Sequence, residues 1–133
     1  MMKLKKSIYE AIIAQAQREL PNEACGYLAE KDGQVVAHYE LYNVDQSFEH
    51  FSMDPKEQFG AVKSMRSQGQ TLAAVYHSHP STPARPSVED IKLAYDPKLS
   101  YLIISLAEPT PSVKSFKIEG GQVRPEEITL LED

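Results

Sequence analysis

The sequence predicts a mixed α/β (α+β) fold, a single mixed β-sheet flanked by helices. Three observations point there. Helix-period segments alternate with short apolar runs, two pairs of runs are joined by tight glycine turns, and 133 residues is the size of one ordinary domain, so residues 1–133 are expected to form one. Helices between strands favour parallel pairing, whereas tight turns force antiparallel pairing, so the sheet must be mixed.

The first helix is expected over Ile8–Leu20. Ile8, Ile12, Ala16 and Leu20 recur at helical spacing, Ser7 and Glu10 have the pattern of a capping box, and Pro21 ends the run. Ala24–Ala29 and Val35–Val44 read as two strands around the turn Lys31-Asp32-Gly33-Gln34, and Glu49–Met53 as a short third strand. Asp54-Pro55-Lys56-Glu57 starts a helix, with Asp as cap and Pro in the first position. Phe59, Val62 and Met65 give that helix its apolar side, and Gly69 stops it. Thr71–His77 is an apolar run that reads as a buried strand. A short helix follows from Ser87 to about Tyr95, then a buried strand over Ser100–Ala107. Val113–Ile118, a turn at Gly120-Gly121 and strand-like residues over Gln122–Leu131 close the chain.

A single cysteine, Cys25, excludes an intrachain disulfide and reads as a buried structural thiol. The basic start Met-Met-Lys-Leu-Lys-Lys leads into no uninterrupted apolar core, because Glu10 and Gln15 break it; no run reaches the length of a membrane span. A cytoplasmic protein without a membrane partner is the expectation. The net charge of -5 and the lack of a basic stripe argue against nucleic acid as a partner, since phosphate binding needs clustered Lys and Arg. Nothing in the sequence sets the oligomeric state.

The chemistry concentrates in His77-Ser78-His79-Pro80 and the proline-rich loop leading to Ser87 and Asp90. Side chains two apart on an extended segment share a face, so His77 and His79 present two imidazoles together where a strand runs into a loop. Asp90 lies one turn into the next helix. Two imidazoles and a carboxylate suit a catalytic zinc with one open position. Each part also has a purely structural reading. The histidines could be two partly exposed side chains, and Ser87 with Asp90 fits a helix capping box, which is compatible with Asp90 binding metal. Arg85 reads as a solvated loop residue, His38 and His50 as surface or structural histidines, and Gly26 as a close backbone approach.

These residues resemble the signature of the JAMM, or MPN-type, zinc metallopeptidases: an upstream glutamate, then His-Ser/Thr-His-Pro, six residues, Ser, two residues and Asp. It is met by His77, Ser78, His79, Pro80, Ser87 and Asp90, with Glu23 in Asn22-Glu23-Ala24-Cys25-Gly26-Tyr27-Leu28 directly after the first helix. The resemblance implies an MPN/JAMM-like (cytidine-deaminase-like) architecture and one Zn2+ per chain on His77, His79 and Asp90. It further implies Glu23 as the general base and Ser87 as donor to the oxyanion. Ser78, pointing away from the histidines, would support the loop. Val75-Tyr76 stand where many members have Gly-Trp, a difference of packing. The chain is too short for the insertions with which deubiquitinating members grip a polyubiquitin chain and resembles the compact prokaryotic members. Some of these trim the C-terminus of small ubiquitin-like sulfur carriers, so a ubiquitin-like carrier protein or peptide is the implied partner, a sulfur carrier ending in Gly-Gly, its tail pairing along a strand edge.

Other readings fit less well. A non-catalytic MPN-type scaffold would lack one or more ligands, and a nucleobase deaminase expects Pro-Cys-x-x-Cys, which one cysteine cannot supply. An iron oxygenase uses two histidines and a carboxylate but leaves Pro80 and Ser87 without a role. A DNA-repair-associated branch with the same motif is disfavoured by the acidic charge.

Overall fold

The computed structural model of the chain describes residues 1–133. Its elements are β1 (Met2–Lys5), α1 (Lys6–Arg18), β2 (Cys25–Lys31), β3 (Gln34–Leu41), α2 (Pro55–Ser67), β4 (Thr71–His79), α3 (Val88–Lys92), β5 (Ser100–Ser105), β6 (Ser112–Glu119), β7 (Gln122–Glu126) and β8 (Ile128–Leu131). The eight strands form one sheet in the order β7-β6-β5-β4-β2-β3-β1-β8. It is mixed as expected: β4 runs parallel to β5, and β1 parallel to β3 and β8, while the other pairs are antiparallel. β7 and β8 lie at opposite edges of the sheet, yet only Glu127 separates them in the chain. Consecutive Cα atoms are about 3.8 Å apart, so the sheet must curl until its edges meet.

Strand periodicity sorts the core into two faces. Ile8, Ile12 and Ala16 of α1 pack with Leu28, Tyr76, Leu102 and Ile104 on one face. Ala61 and Met65 of α2 cover Cys25, Tyr27 and Ala29 on the other. Burying a side chain such as Ile12 or Met65 contributes about 1.5–3 kcal/mol, which outweighs the helix propensity of either segment.

The helix and turn signals hold where their chemistry is local. Asp54 Oδ1 accepts from Lys56 N at 3.1 Å, Pro55 opens α2, and Gly69 leaves it at φ +70°. Asp32 and Gly33 have φ of 54° and 78°, and Gly120 and Gly121 of 58° and 80°, the positive pairs that a tight hairpin requires.

Three expectations are corrected, and one strand is added. The Ser7–Glu10 capping box does not form: α1 starts at Lys6 with no side-chain cap, because β1 runs straight into it. Ser7 N donates instead to Asp133 Oδ1 at 3.0 Å, and the Ser7 hydroxyl bonds the same carboxylate. Met2–Lys5 is an unexpected strand whose Met2 and Leu4 are buried; alternation over only four residues, half of them Lys, is too short to read. Glu49–Met53 is not a strand. Asn43 holds that region, its Oδ1 accepting from Asp45 N and Ser52 N and its Nδ2 donating to the carbonyls of Glu23 and His50. The expected helix from Ser87 to Tyr95 shortens to Val88–Lys92, with Ser87 as its cap.

Gly26 lies where β2 passes under Tyr76. A Cβ there would collide with the Tyr76 ring and come within 2.5 Å of the Tyr39 carbonyl oxygen. Tyr76 Oη donates to Gln15 Oε1, and Gln15 Nε2 donates to the Cys25 carbonyl at 3.1 Å, so α1, β2 and β4 are locked at this point. Gly26→Ala is expected to cost about 1–3 kcal/mol as overpacking. Urea unfolding measures it, and an unchanged midpoint would contradict this packing.

Candidate metal centre

β4 delivers the histidines. Alternation puts Tyr76 and Ser78 on the α1 face and His77 and His79 on the α2 face. Ser78 supports the arrangement as expected: its N–H donates to the Ala24 carbonyl at 2.9 Å and its Oγ accepts from Ala24 N at 2.7 Å. Beyond Pro80 the loop turns back, and α3 brings Asp90 over the histidines. Ser87 Oγ accepts from Asp90 N at 3.0 Å, and Ser87 N donates to Asp90 Oδ2 at 2.9 Å, so the capping box forms and aims the carboxylate at the same time.

Three atoms converge. His77 Nε2 and His79 Nε2 are 3.1 Å apart, and Asp90 Oδ2 lies 3.2 Å from the first and 3.1 Å from the second. Tetrahedral zinc with bonds of about 2.0 Å needs ligand atoms about 3.3 Å apart, so the triangle has the size of one face of a zinc site. The lone pairs also point correctly. His79 Nδ1 lies 2.9 Å from the Pro83 carbonyl, which can only accept, so Nδ1 carries the proton and Nε2 is bare in the neutral ring. Phe51 stacks on His77 with centroids 4.8 Å apart and fixes that ring. Three potential ligand atoms converge closely enough to share one cation, and the donor set fits zinc.

The electrostatics carry the same mark. Burial alone would raise the Asp90 carboxyl, but hydrogen bonds with His77 and His79 hold it far below the usual carboxylate range. Burial alone would lower His79, but Asp90 and the Pro83 carbonyl outweigh it and hold it above the usual histidine range.

Glu23 stands on the same face. In the antiparallel register Cys25 pairs with His77, which carries Glu23, two residues earlier, opposite His79. Its backbone is pinned, with Glu23 N donating to the Ser47 carbonyl at 2.8 Å and Asn43 Nδ2 to the Glu23 carbonyl at 3.1 Å. The residue is 4 % exposed, and its Oε1 is a buried oxygen without any partner. Burial pushes its carboxyl up to about 8, against the pull of His79.

The remaining residues fall outside the cluster. Cys25 is fully buried, its thiol pushed up to about 12 by burial, so it is no nucleophile. Arg85 is exposed. His38 pairs with Glu40 and His50 with Asp45, and neither belongs to the triangle. Phe51, Pro83 and Asn43 take supporting roles that no sequence spacing announced; Phe51 fell in a segment read as a strand.

Residues 5–119 match the family model described as prokaryotic homologs of the JAB domain. The chain is 31% identical over 132 residues to the CysO-cysteine peptidase of Mycobacterium tuberculosis, spanning 97% of this chain and 90% of that protein. It is 34% identical over 118 residues to the probable TtuB-protein conjugate cleaving protease of Thermus thermophilus, spanning 88% of this chain and 76% of that protein. A solution structure of a Desulfitobacterium hafniense protein superposes with a TM-score of 0.92 at 55% identity, covering 100% of this chain and 94% of that one.

Two outcomes are expected. Purified protein should bind about one zinc per chain, and His77→Ala, His79→Ala and Asp90→Ala should each lose most of it, as read by metal analysis after dialysis. Full occupancy in all three would contradict the site. The second concerns pH. With its folded value raised from 4.5 to about 8, Glu23 is protonated in the folded metal-free chain where the unfolded chain is ionised. Its contribution is therefore complete below pH ~4.5 and lost as pH rises toward ~8, at up to about 1.4 kcal/mol per pH unit. Glu23→Gln should flatten that slope in urea unfolding with a chelator present; equal slopes would contradict the buried carboxyl.

Proposed function

Because the chain belongs to the prokaryotic JAB-domain family, we propose that it is a zinc-dependent peptidase or isopeptidase that cuts at the C-terminal tail of a ubiquitin-like sulfur-carrier protein. The observation that carries this reading is Glu23: a buried carboxyl with an unpartnered oxygen, on the same face as a zinc-sized triangle of acceptors. A scaffold would have no use for such an oxygen, which costs stability.

In this reading His77, His79 and Asp90 hold the metal. Bound zinc supplies Lewis acidity, bringing water from a pKa of 15.7 to about 7. Glu23 takes the proton and passes it to the leaving amine. Ser87 uses its Oγ lone pair for the helix cap, which leaves its O–H free to donate to the oxyanion. Capping and catalysis therefore coexist in one side chain.

The substrate class rests on the relatives, whose names specify CysO-cysteine and TtuB-protein conjugates. The expected pairing of the tail along a strand edge has no edge to use beside the histidines, because β4 is interior and the edges are β7 and β8. The irregular segment at Phe51–Met53 replaces that edge. Phe51 stacks on His77, and the backbone groups of Phe51 and Met53 make no hydrogen bond within the chain, so they are free to pair with an extended tail. Glycines at the scissile bond suit a site walled by a proline-rich loop.

Glu23→Gln should keep zinc and fold while losing about 10²–10⁴ in turnover, and Ser87→Ala about 10²–10³ in kcat together with about 1 kcal/mol of stability. Wild-type rates in either variant would reassign that role. The substrate test offers three molecules: a carrier extended beyond Gly-Gly, di-ubiquitin and a free peptide of the same tail. Fast trimming of the carrier alone is expected, followed by intact mass; equal cleavage of the free peptide would instead indicate a general small-peptide hydrolase.

A further inference from the structure

A cavity of about 400 Å³ opens directly beside His77 and Asp90, within the range of small-ligand clefts. Its floor is the sheet face below the metal triangle, formed by Tyr27, Val75, Tyr101 and Ile103. Met53 and Leu99 also line it. Val75 precedes His77 by two residues on β4 and pairs with Tyr27 and Tyr101 in the neighbouring strands, so the floor is rigid. Leaving this apolar surface open to solvent is unfavourable, and cavities of this kind next to reactive groups take substrate side chains.

We infer that this cavity is the specificity pocket for a bulky apolar side chain on the acyl side of the scissile bond, at the residue immediately preceding Gly-Gly. The inference rests on the peptidase reading and deepens it. The direction follows from Glu23. Glu23 delivers the proton to the leaving amine and lies opposite His79, so the amine lies toward that end of β4. The cavity runs the other way, from His77 toward Val75, and therefore collects the acyl side. The distance also fits. Two glycines span about 6.6 Å at ~3.3 Å per residue, matching the two-residue step from His77 to Val75. The charge pattern sets the chemistry. Apart from Asp90, whose charge the metal would offset, Glu89 and Asp96 line the cavity and no Lys or Arg does, so an acidic side chain is disfavoured there where an aromatic or aliphatic one is accepted.

The test uses zinc-loaded protein and acetylated peptides X-Gly-Gly ending in the free carboxylate, with X as Phe, Ala or Asp. They contain no bond to cut, so binding is read whether or not the protein turns over any substrate. Failure of this inference is thereby separated from failure of the peptidase reading, which the carrier-trimming assay decides. Titration by amide chemical shifts should show Phe binding about 10–100-fold tighter than Ala, Asp weakest, and shifts centred on Tyr27, Val75 and Tyr101. Leu99→Trp, which fills the cavity from its loop side, should erase the preference for Phe while leaving the Ala peptide's affinity within about twofold. Equal affinity for Phe and Ala, or shifts centred elsewhere, would overturn the inference. If Leu99→Trp does not fold, the wild-type shift map alone decides between these outcomes.

Discussion

The antiparallel register between β2 and β4 is the constraint on which the rest of the molecule depends. Pairing Cys25 with His77 and Gly26 with Tyr76 places Glu23 opposite His79 on one face and Tyr76 against α1 on the other. A slip of one residue would turn both histidines into the α1 core and Tyr76 out of it. The register is held by contacts that work in only one alignment. Gly26 alone leaves room for the Tyr76 ring, Gln15 bridges Tyr76 to the Cys25 carbonyl, and Ser78 exchanges two hydrogen bonds with Ala24. Those contacts are buried, so each lost bond would leave an unsatisfied polar group costing about 1–3 kcal/mol.

The return loop completes the site by the same economy of parts. Ser105 Oγ donates to the Thr82 carbonyl at 2.6 Å and ties the loop to β5, while Ala84 is buried against Ile103 and Phe116. Pro80, Pro83 and Pro86 limit the conformations open to it. Pro83 also orients His79 through its carbonyl, and the Ser87 cap aims Asp90, so the loop fixes both side chains of the triangle as it folds. The ordering entropy of the site is met on folding, before any ligand arrives.

Much of this was legible in the residues themselves, for a physical reason. His77, His79, Ser87 and Asp90 lie within one short stretch, where period-two alternation and a helix cap dictate geometry without reference to distant chain. The α2 start at Asp54-Pro55 and the glycine turns were legible on the same local grounds. What escaped depends on partners remote in sequence. β1 exists because β3 and β8 flank it, and Ser7 is capped by Asp133 at the other end of the chain. The Glu49–Met53 region follows Asn43's hydrogen bonds in place of a ladder, and the cavity beside His77 is assembled from several elements. Glu23 is intermediate: the family signature singled it out, but its burial and its partnerless oxygen emerge only from the β2–β4 register.

The central claim is that two imidazoles and one carboxylate, and no sulfur, hold the metal. Zinc K-edge absorption on the zinc-loaded chain tests it most directly, because it reads ligand type and distance without any assumption about substrate. The account predicts a shell of nitrogen and oxygen at about 2.0–2.1 Å with the outer-shell scattering of two imidazoles. A sulfur shell at about 2.3 Å would place the metal on Cys25 and contradict it.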